Sequence, residues 1–158
     1  MDHDLKAALR REPVIDLSPT PALTIQSGAT VAQALEIMRE KRAGCIIVVD
    51  DAGKAAGVFT ERDLIKRVLK PQKPLSTPLA SVMTAAPRTL TPTDSAAHAL
   101  KQFHHGRARH LPVVDEEGKP TGVISVKRLI HYLAESCPEA VYNIPPNPER
   151  ISTELYSG

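Results

Sequence analysis

Tryptophan is absent from this sequence, and two Phe and three Tyr bring the aromatics to only 3% of its 158 residues. A core without large rings must come from Ala, Val, Leu and Ile, which suit helices packed on strands. Cysteine is nearly as scarce. Cys45 and Cys137 stand in no metal-type spacing, so no disulfide framework or metal site is indicated and the cytoplasm is the expected compartment. No apolar run approaches bilayer-spanning length, and MDHDLKAALRREP lacks the apolar stretch of a secretory signal, so a membrane is not an expected partner. An excess of charge is missing too: a formal net charge of +2 gives no ground for nucleic acid as a partner. Walker and dinucleotide glycine patterns, a nucleophile elbow and paired carboxylates spaced for acid–base work are all lacking, so catalysis is not expected.

What the sequence does contain is itself, twice. Slid along itself until Thr24 meets Thr89, the chain aligns Thr24–Leu69 with Thr89–Ala134 without a gap, and 15 of the 46 paired positions are identical. The identities fall at structural punctuation: Ala34-Leu35 with Ala99-Leu100, Arg42-Ala43 with Arg107-Ala108, VVD with VVD, Gly53-Lys54 with Gly118-Lys119, and Gly57-Val58 with Gly122-Val123.

Each copy has one order of elements. Thr30 or Ser27 can cap a helix carrying Val31, Leu35 and Met38 at helical spacing, and the second copy gives Ala96, Leu100 and Phe103. CIIVVD, DAGK and AAGVFT read as a strand, a turn and a strand, as do HLPVVD, EEGK and PTGVIS. A second helix then points Leu64, Ile65, Val68 and Leu69 inward in copy one, and Leu129, Ile130 and Leu133 in copy two. With a short leading strand, this makes an α+β fold of two β-α-β-β-α repeats, each too small to bury enough surface alone, so that they share a core. Residues 14–70 form repeat 1, 71–88 a Pro- and Ser-rich linker and entry with a short apolar piece at Leu79–Met83, and 89–136 repeat 2. Residues 137–158, with four prolines and no helical period, form an extended arm or a frayed tail.

The motif GVFTERD, Gly57–Asp63, returns as GVISVKR, Gly122–Arg128, with its last charge reversed. The first copy has two explanations. A strand delivers Thr60 to a helix start, where free N–H groups attract an anion, Arg62 can meet phosphate, and Asp63 can accept from the paired hydroxyls of a ribose. Alternatively, Thr60 and Asp63 form a capping box and need no ligand. In the second copy Ser125 keeps the cap, while Lys127 and Arg128 place cations where the helix dipole opposes them by roughly 0.3–1 kcal/mol each. An anion, an acidic neighbour or exposure to solvent would relieve that cost. Of the other candidates, His98, His104, His105 and His110 lack a carboxylate or cysteine to complete a metal set, and Cys45 on its strand suits a small core residue.

The two repeats resemble a pair of cystathionine beta-synthase (CBS) domains, the tandem called a Bateman module, over roughly Val14–Ser136. GVFTERD satisfies every position of that family's nucleotide signature: Gly, two apolar residues, Thr or Ser, two variable residues, Asp. SVMTAAPRTLTP is similar to the family's entry into a second repeat, and RHLPVVDEEGKPTGVIS to its hairpin. The resemblance implies repeats related by a pseudo-two-fold axis. It also implies a cleft in which Thr60, Arg62 and Asp63 meet Thr84, Arg88, Thr89, Arg109, His110, Leu111 and Pro112. In that arrangement Asp63 holds ribose, Leu111 and Pro112 flank the base, and Arg62, Arg109 and His110 face phosphate. The mirror cleft would join Ser125, Lys127 and Arg128 to Gly44, Cys45, Ile46 and Ile47. It departs from the signature, because Arg128 offers no acceptor to ribose, and is a possible degenerate second site.

The function implied is a regulatory module, not an enzyme and requiring no cofactor. It takes an adenine nucleotide or adenosyl ligand (AMP, ADP, ATP, NAD or S-adenosylmethionine) and changes its shape or its affinity for a separate regulated protein. The alternative is a structural interaction protein whose clefts are relics. A homodimer is expected in either case, with Leu35, Met38, Leu64, Val68, Leu100, Phe103 and Leu133 shared between core and interface.

Overall fold

A computed structural model describes residues 2–136, so the expected C-terminal arm and Cys137 lie outside the described residues. In chain order the elements are α1 (Asp2–Arg11), a 3-10 turn (Val14–Leu17), β1 (Thr20–Pro21), β2 (Thr24–Gln26), α2 (Val31–Lys41), β3 (Cys45–Val49) and β4 (Ala55–Thr60). There follow α3 (Glu61–Asp63), which continues as a π-wound segment (Leu64–Leu69), a second 3-10 turn (Leu79–Ser81), β5 (Thr84–Ala85), α4 (Ala96–Gly106), β6 (His110–Val114), β7 (Pro120–Ser125) and α5 (Val126–Ser136). The fold is mixed α and β, with sheets ordered β2-β3-β4-β5 and β1-β7-β6. Two contact units divide the chain. Of the described residues, one unit comprises Thr20–Thr89 with Pro112–Val123; the other comprises 2–19, Leu90–Leu111 and 124–136.

In the first unit, β3 is buried along its whole length. Its alternation sends Ile46 and Val48 to one cluster, with Val31, Ala34, Met38, Phe59 and Val68, and Cys45, Ile47 and Val49 to another, with Val58 and Val123. Thr30 caps α2 through a box with Gln33, selecting Thr30 over Ser27 as the cap. The repeated Arg-Ala pair follows a helix in each copy, with Arg42 at φ 51° and Arg107 at φ 48° closing α2 and α4 in the left-handed conformation. The repeated Asp and Gly-Lys belong to the hairpin turns. Asp50 Oδ1 accepts from the amides of Ala52 and Lys54, both at 2.9 Å, and Asp115 Oδ1 accepts from those of Glu117 and Lys119, both at 2.9 Å. Gly53 and Gly118 supply the positive φ, 78° and 81°, that each turn needs.

The leading strand differs between the copies. Thr24–Gln26 runs parallel to Ile47–Val49, and the Ile47 amide donates to the Leu23 carbonyl at 2.8 Å. The residue matching Ile47 is Pro112, which has no N–H to give. Among the described residues the second leading strand shrinks to a single bridge residue, Leu90.

The second helices correct one expectation. Leu64, Val68, Leu129 and Leu133 face inward, but Ile65, Leu69 and Ile130 are more than half exposed, at 59%, 54% and 55%. A stripe of residues four apart is enough to cover the layer beneath, so the neighbouring positions turn out. The same position is exposed in the π-wound helix and in the regular α5, so the winding is not the cause.

Within 71–88 the Leu79 and Val82 side chains are completely buried, and both belong to the cluster around β3. The β5 residues Thr84 and Ala85 pair with Val58 and Gly57 of β4. Met83 lies over Gly57, where any Cβ would collide with its thioether. In the second unit α4 packs on α1, α5 and the turn Val14–Leu17, with Val14 and Leu17 fully buried. Deleting the Leu79 side chain should therefore cost as much as a core deletion. Leu79→Ala is expected to lower unfolding free energy by about 2–5 kcal/mol in a urea titration, whereas a change under about 1 kcal/mol would show that the segment is not part of the core.

Candidate functional site

β4 ends at Thr60, still extended at φ -124° and ψ 165° as the N-cap of α3, and its pairing with Asp63 forms a closed box. The Thr60 hydroxyl accepts from the Asp63 amide at 3.2 Å. Asp63 Oδ2 accepts from both the Thr60 amide and the Thr60 hydroxyl, each at 2.9 Å. Glu61 begins the helix by donating its amide to the Gly44 carbonyl at 3.1 Å. The capping explanation of Thr60 and Asp63 is thus realised in the structure.

The box does not exhaust the carboxylate. Asp63 is 9% exposed, the one charged residue buried among the described residues. Its Oδ1 is 3.4 Å from Arg67 Nε, one helical turn on. The Arg67 guanidinium continues past it, with Nη1 2.6 Å from the Met83 carbonyl and 3.5 Å from that of Val82. Two of the four carboxylate lone-pair sites are taken by Thr60, both on Oδ2, which leaves Oδ1 in ion-pair contact with Arg67 and open to a further donor. Arg67 was not among the candidates from sequence. Its spacing of four from Asp63 is the signal that could have found it.

The first unit thus brings Thr60, at the end of β4, and Asp63, in the turn of α3 that follows it, beside β5, whose Thr84 pairs with Val58 of β4. Arg62, Thr84, Arg88 and Thr89 are exposed in the same unit. Pro112, in that unit too, is buried. Arg109, His110 and Leu111 belong to the second unit: Arg109 is exposed, its carbonyl accepting from the Val126 amide at 3.0 Å; His110 is half-buried; Leu111 is 1% exposed.

The charge-reversed copy has its own explanation. Ser125 keeps the cap by accepting from the Arg128 amide at 3.0 Å. Arg128 Nε donates to the Leu17 carbonyl at 3.1 Å, at the end of the first 3-10 turn. Arg128 is itself exposed, so solvent together with a backbone carbonyl, rather than an acidic side chain, offsets the dipole cost of this cation. Lys127 is exposed. Of the residues expected opposite, Gly44 is half-buried, and Cys45, Ile46 and Ile47 are core, at 8%, 0% and 1% exposure.

His104 and His105 stack edge to face with centroids 5.4 Å apart, and His98 Nε2 lies 3.2 Å from Gln102 Nε2. Those in the last turn of α4 stand where the helix dipole favours a cation.

The family profile described as CBS domain matches residues 14–70 and again 79–135, two windows in the register of the internal repeat. The chain belongs to the CBS-domain family. Among its relatives, an uncharacterized 17.7 kDa protein of Acidianus ambivalens is 26% identical over 122 residues, covering 77% of this chain and 73% of that one. A CBS domain-containing protein of Arabidopsis thaliana is 32% identical over 111 residues, 70% of this chain, and the chain spans only 20% of its length. Among solved structures, a CBS-domain protein of Burkholderia ambifaria superposes with a TM-score of 0.66 at 30% identity, covering 84% of this chain and 94% of that one. A CBS domain protein of Pyrobaculum aerophilum, solved in complex with AMP, gives a TM-score of 0.69 at 21% identity over 78% and 98% of the chains.

The matched CBS hairpin also carries Cys45, whose thiol is pushed by burial from its ordinary value of 9.0 up to about 11. A folded pKa above the unfolded one gives stability that is full below the unfolded value and is lost as pH rises through the folded one. Unfolding free energy is therefore expected to fall between pH 9 and 11, and to fall less in Cys45→Ala. Parallel pH profiles for the two proteins in urea titrations would refute a buried Cys45 thiol.

Proposed function

We propose that this CBS-domain protein is a cytoplasmic regulatory module that binds an adenine nucleotide or related adenosyl ligand at the Thr60–Asp63 signature and passes the change to a partner polypeptide. The single observation that carries this reading is the Asp63 carboxylate, buried, oriented by two Thr60 donors and ion-paired with Arg67, yet keeping an acceptor position on Oδ1 for a ribose hydroxyl. Support of a second kind comes from the Pyrobaculum aerophilum relative solved with AMP. Thr60, Arg62, Thr84, Arg88 and Thr89 are the polar groups assigned to the ligand in the same unit, which also holds Pro112. Its role is binding rather than chemistry.

A thermal-shift panel of AMP, ADP, ATP, NAD and S-adenosylmethionine identifies the ligand class. At a hundred times its dissociation constant, the ligand should stabilise the protein by about 2.7 kcal/mol. Charge-assisted hydrogen bonds from a ribose to Asp63 are worth roughly 1.5–3 kcal/mol, so Asp63→Ala should weaken binding about ten- to a hundredfold in titration calorimetry. An affinity unchanged by Asp63→Ala, alongside a stability loss of about 1 kcal/mol, would reduce Asp63 to a helix cap.

The second reading, a structural interaction protein, is favoured by the completeness of the Thr60–Asp63 box without any ligand. Both readings share a homodimer. Met38, Val68 and Phe103, expected to serve core and interface together, are at most 6% exposed and have little left to offer a partner. Ile65, Leu69 and Ile130 are the apolar residues of the second helices that remain open. Sedimentation at micromolar concentration should give the mass of two chains, and Ile65→Glu with Leu69→Glu should shift it to one. A single-chain mass for the unmodified protein would remove the dimer from both readings.

A further inference from the structure

Two arginines do one job from two different helix positions. Arg67 donates to the carbonyls of Val82 and Met83, and Arg128 donates to the carbonyl of Leu17. Leu17 and Val82 stand in the same register as Thr24 and Thr89, so they are corresponding positions in the segments that lead into the two repeats. In each unit the second helix of a repeat thus pins the segment leading into the other repeat. The pins differ in what stands behind them. Arg128 occupies the signature position itself and reaches its carbonyl directly. Arg67 sits one helical turn beyond Asp63, whose Oδ1 lies 3.4 Å from its Nε in an ion pair. The residue matching Arg67 in repeat 2 is Tyr132, so an aspartate at 128 would have no guanidinium at that spacing to orient. Charge reversal between GVFTERD and GVISVKR keeps the pin while removing the carboxylate from it.

We propose that Arg67 is a positioning residue of the nucleotide site, orienting Asp63 and tying it to the Val82–Ala85 segment, so that occupancy of Asp63 is transmitted to β5. The proposal rests on the nucleotide reading for its two ligand arms, affinity and AMP-slowed exchange, and not for the exchange of the ligand-free protein. Chemistry favours retention of Arg67 when ligand binds. A ribose donating two hydroxyls would use the open position on Oδ1 and displace the rotatable Thr60 hydroxyl from Oδ2, while the Arg67 ion pair stays in place. Bound ribose and Arg67 then share one carboxylate, and each restrains the orientation the other needs. Met83 makes this restraint matter for the strand, because the residue whose carbonyl Arg67 holds also covers Gly57 with its side chain. Next to it, Thr84 and Ala85 pair with β4, and the Ala86 amide donates to the Ala56 carbonyl at 3.1 Å.

Amide hydrogen exchange over 82–86 and AMP titration calorimetry are to be measured on the full chain and on Arg67→Met, Arg67→Lys, Asp63→Asn, the Asp63→Asn/Arg67→Met double variant, and Lys66→Met as a neighbouring charge control. Without ligand, exchange at the Ala86 amide should rise at least about tenfold in Arg67→Met and stay unchanged in Lys66→Met. The AMP dissociation constant should rise about tenfold in Arg67→Met, recover in part in Arg67→Lys, and rise no further when Arg67→Met is added to Asp63→Asn. AMP should slow exchange over 82–86 in the unmodified protein and fail to do so in Arg67→Met. Faster exchange in Arg67→Met with an AMP affinity within twofold of the unmodified protein would overturn the positioning role and leave a merely structural pin. Unchanged exchange would overturn the pin as well. If the unmodified protein binds neither AMP nor any other adenosyl compound, the nucleotide reading and the ligand coupling fall together, while the exchange result still decides whether Arg67 holds β5.

Discussion

The structure depends on a borrowing. A repeat of this size exposes more apolar surface than it can cover, and its entry segment does not serve its own second helix. Leu79 and Val82, which lead into repeat 2, fill the cluster around β3 of repeat 1. Val14 and Leu17, which lead into repeat 1, are fully buried in the unit that contains α4 and α5. The same crossing shows in corresponding backbone bonds: the Val31 amide donates to the Thr77 carbonyl at 3.0 Å, and the Ala96 amide, at the matching position of repeat 2, to the Glu12 carbonyl at 2.8 Å. Neither unit closes its core from contiguous sequence, so duplication supplied the missing piece as well as a second copy.

From that constraint the charge reversal becomes intelligible. A borrowed segment must be fixed at a particular register, and a guanidinium on a backbone carbonyl does this without a new apolar contact. Repeat 2 takes its arginine from the signature position, and repeat 1 from one turn later. Only the second arrangement leaves the signature position free for a carboxylate. Asp63 is therefore tolerated in repeat 1 because Arg67 already does the fixing, and it is stabilised by that neighbour, since a buried carboxylate without donors would be costly.

Much of this was legible beforehand, and for identifiable reasons. Strands β3, β4, β6 and β7 follow from apolar runs bounded by Asp and Gly-Lys, and the structure shows those punctuation residues making the same turn bonds twice. The Thr60–Asp63 box follows from spacing alone. Three features were not legible. Ile65 and Ile130 carry the same period as their buried neighbours, and periodicity does not say how wide a stripe the layer beneath can cover. Leu79 and Val82 lie among prolines and serines, which mask a core contribution made at long range. Arg128 finds its acceptor 111 residues away in sequence, on a backbone carbonyl, and no side-chain pattern encodes a backbone acceptor. Arg67 alone left a local trace, its spacing from Asp63, and that trace was outweighed by the signature it adjoins.

On the proposed nucleotide reading, the box and the ligand site are stages of one arrangement of Thr60 and Asp63 rather than rival explanations of it. A carboxylate intended for ribose must be held in one rotamer before the ligand arrives, or binding must bear the cost of ordering it. Thr60 does this with its amide, which cannot rotate away, and with its hydroxyl, which can. The amide bond fixes Asp63 permanently; the hydroxyl bond satisfies the carboxylate only until something better placed displaces it. Arg67 adds an ion pair at the opposite oxygen, its Nε 3.4 Å from Oδ1. A pure cap would need the Thr60 partners alone. The additional restraint from Arg67 costs a long side chain its rotamer freedom, and that cost is offset where both the carboxylate and the strand it reaches through Met83 must keep one position.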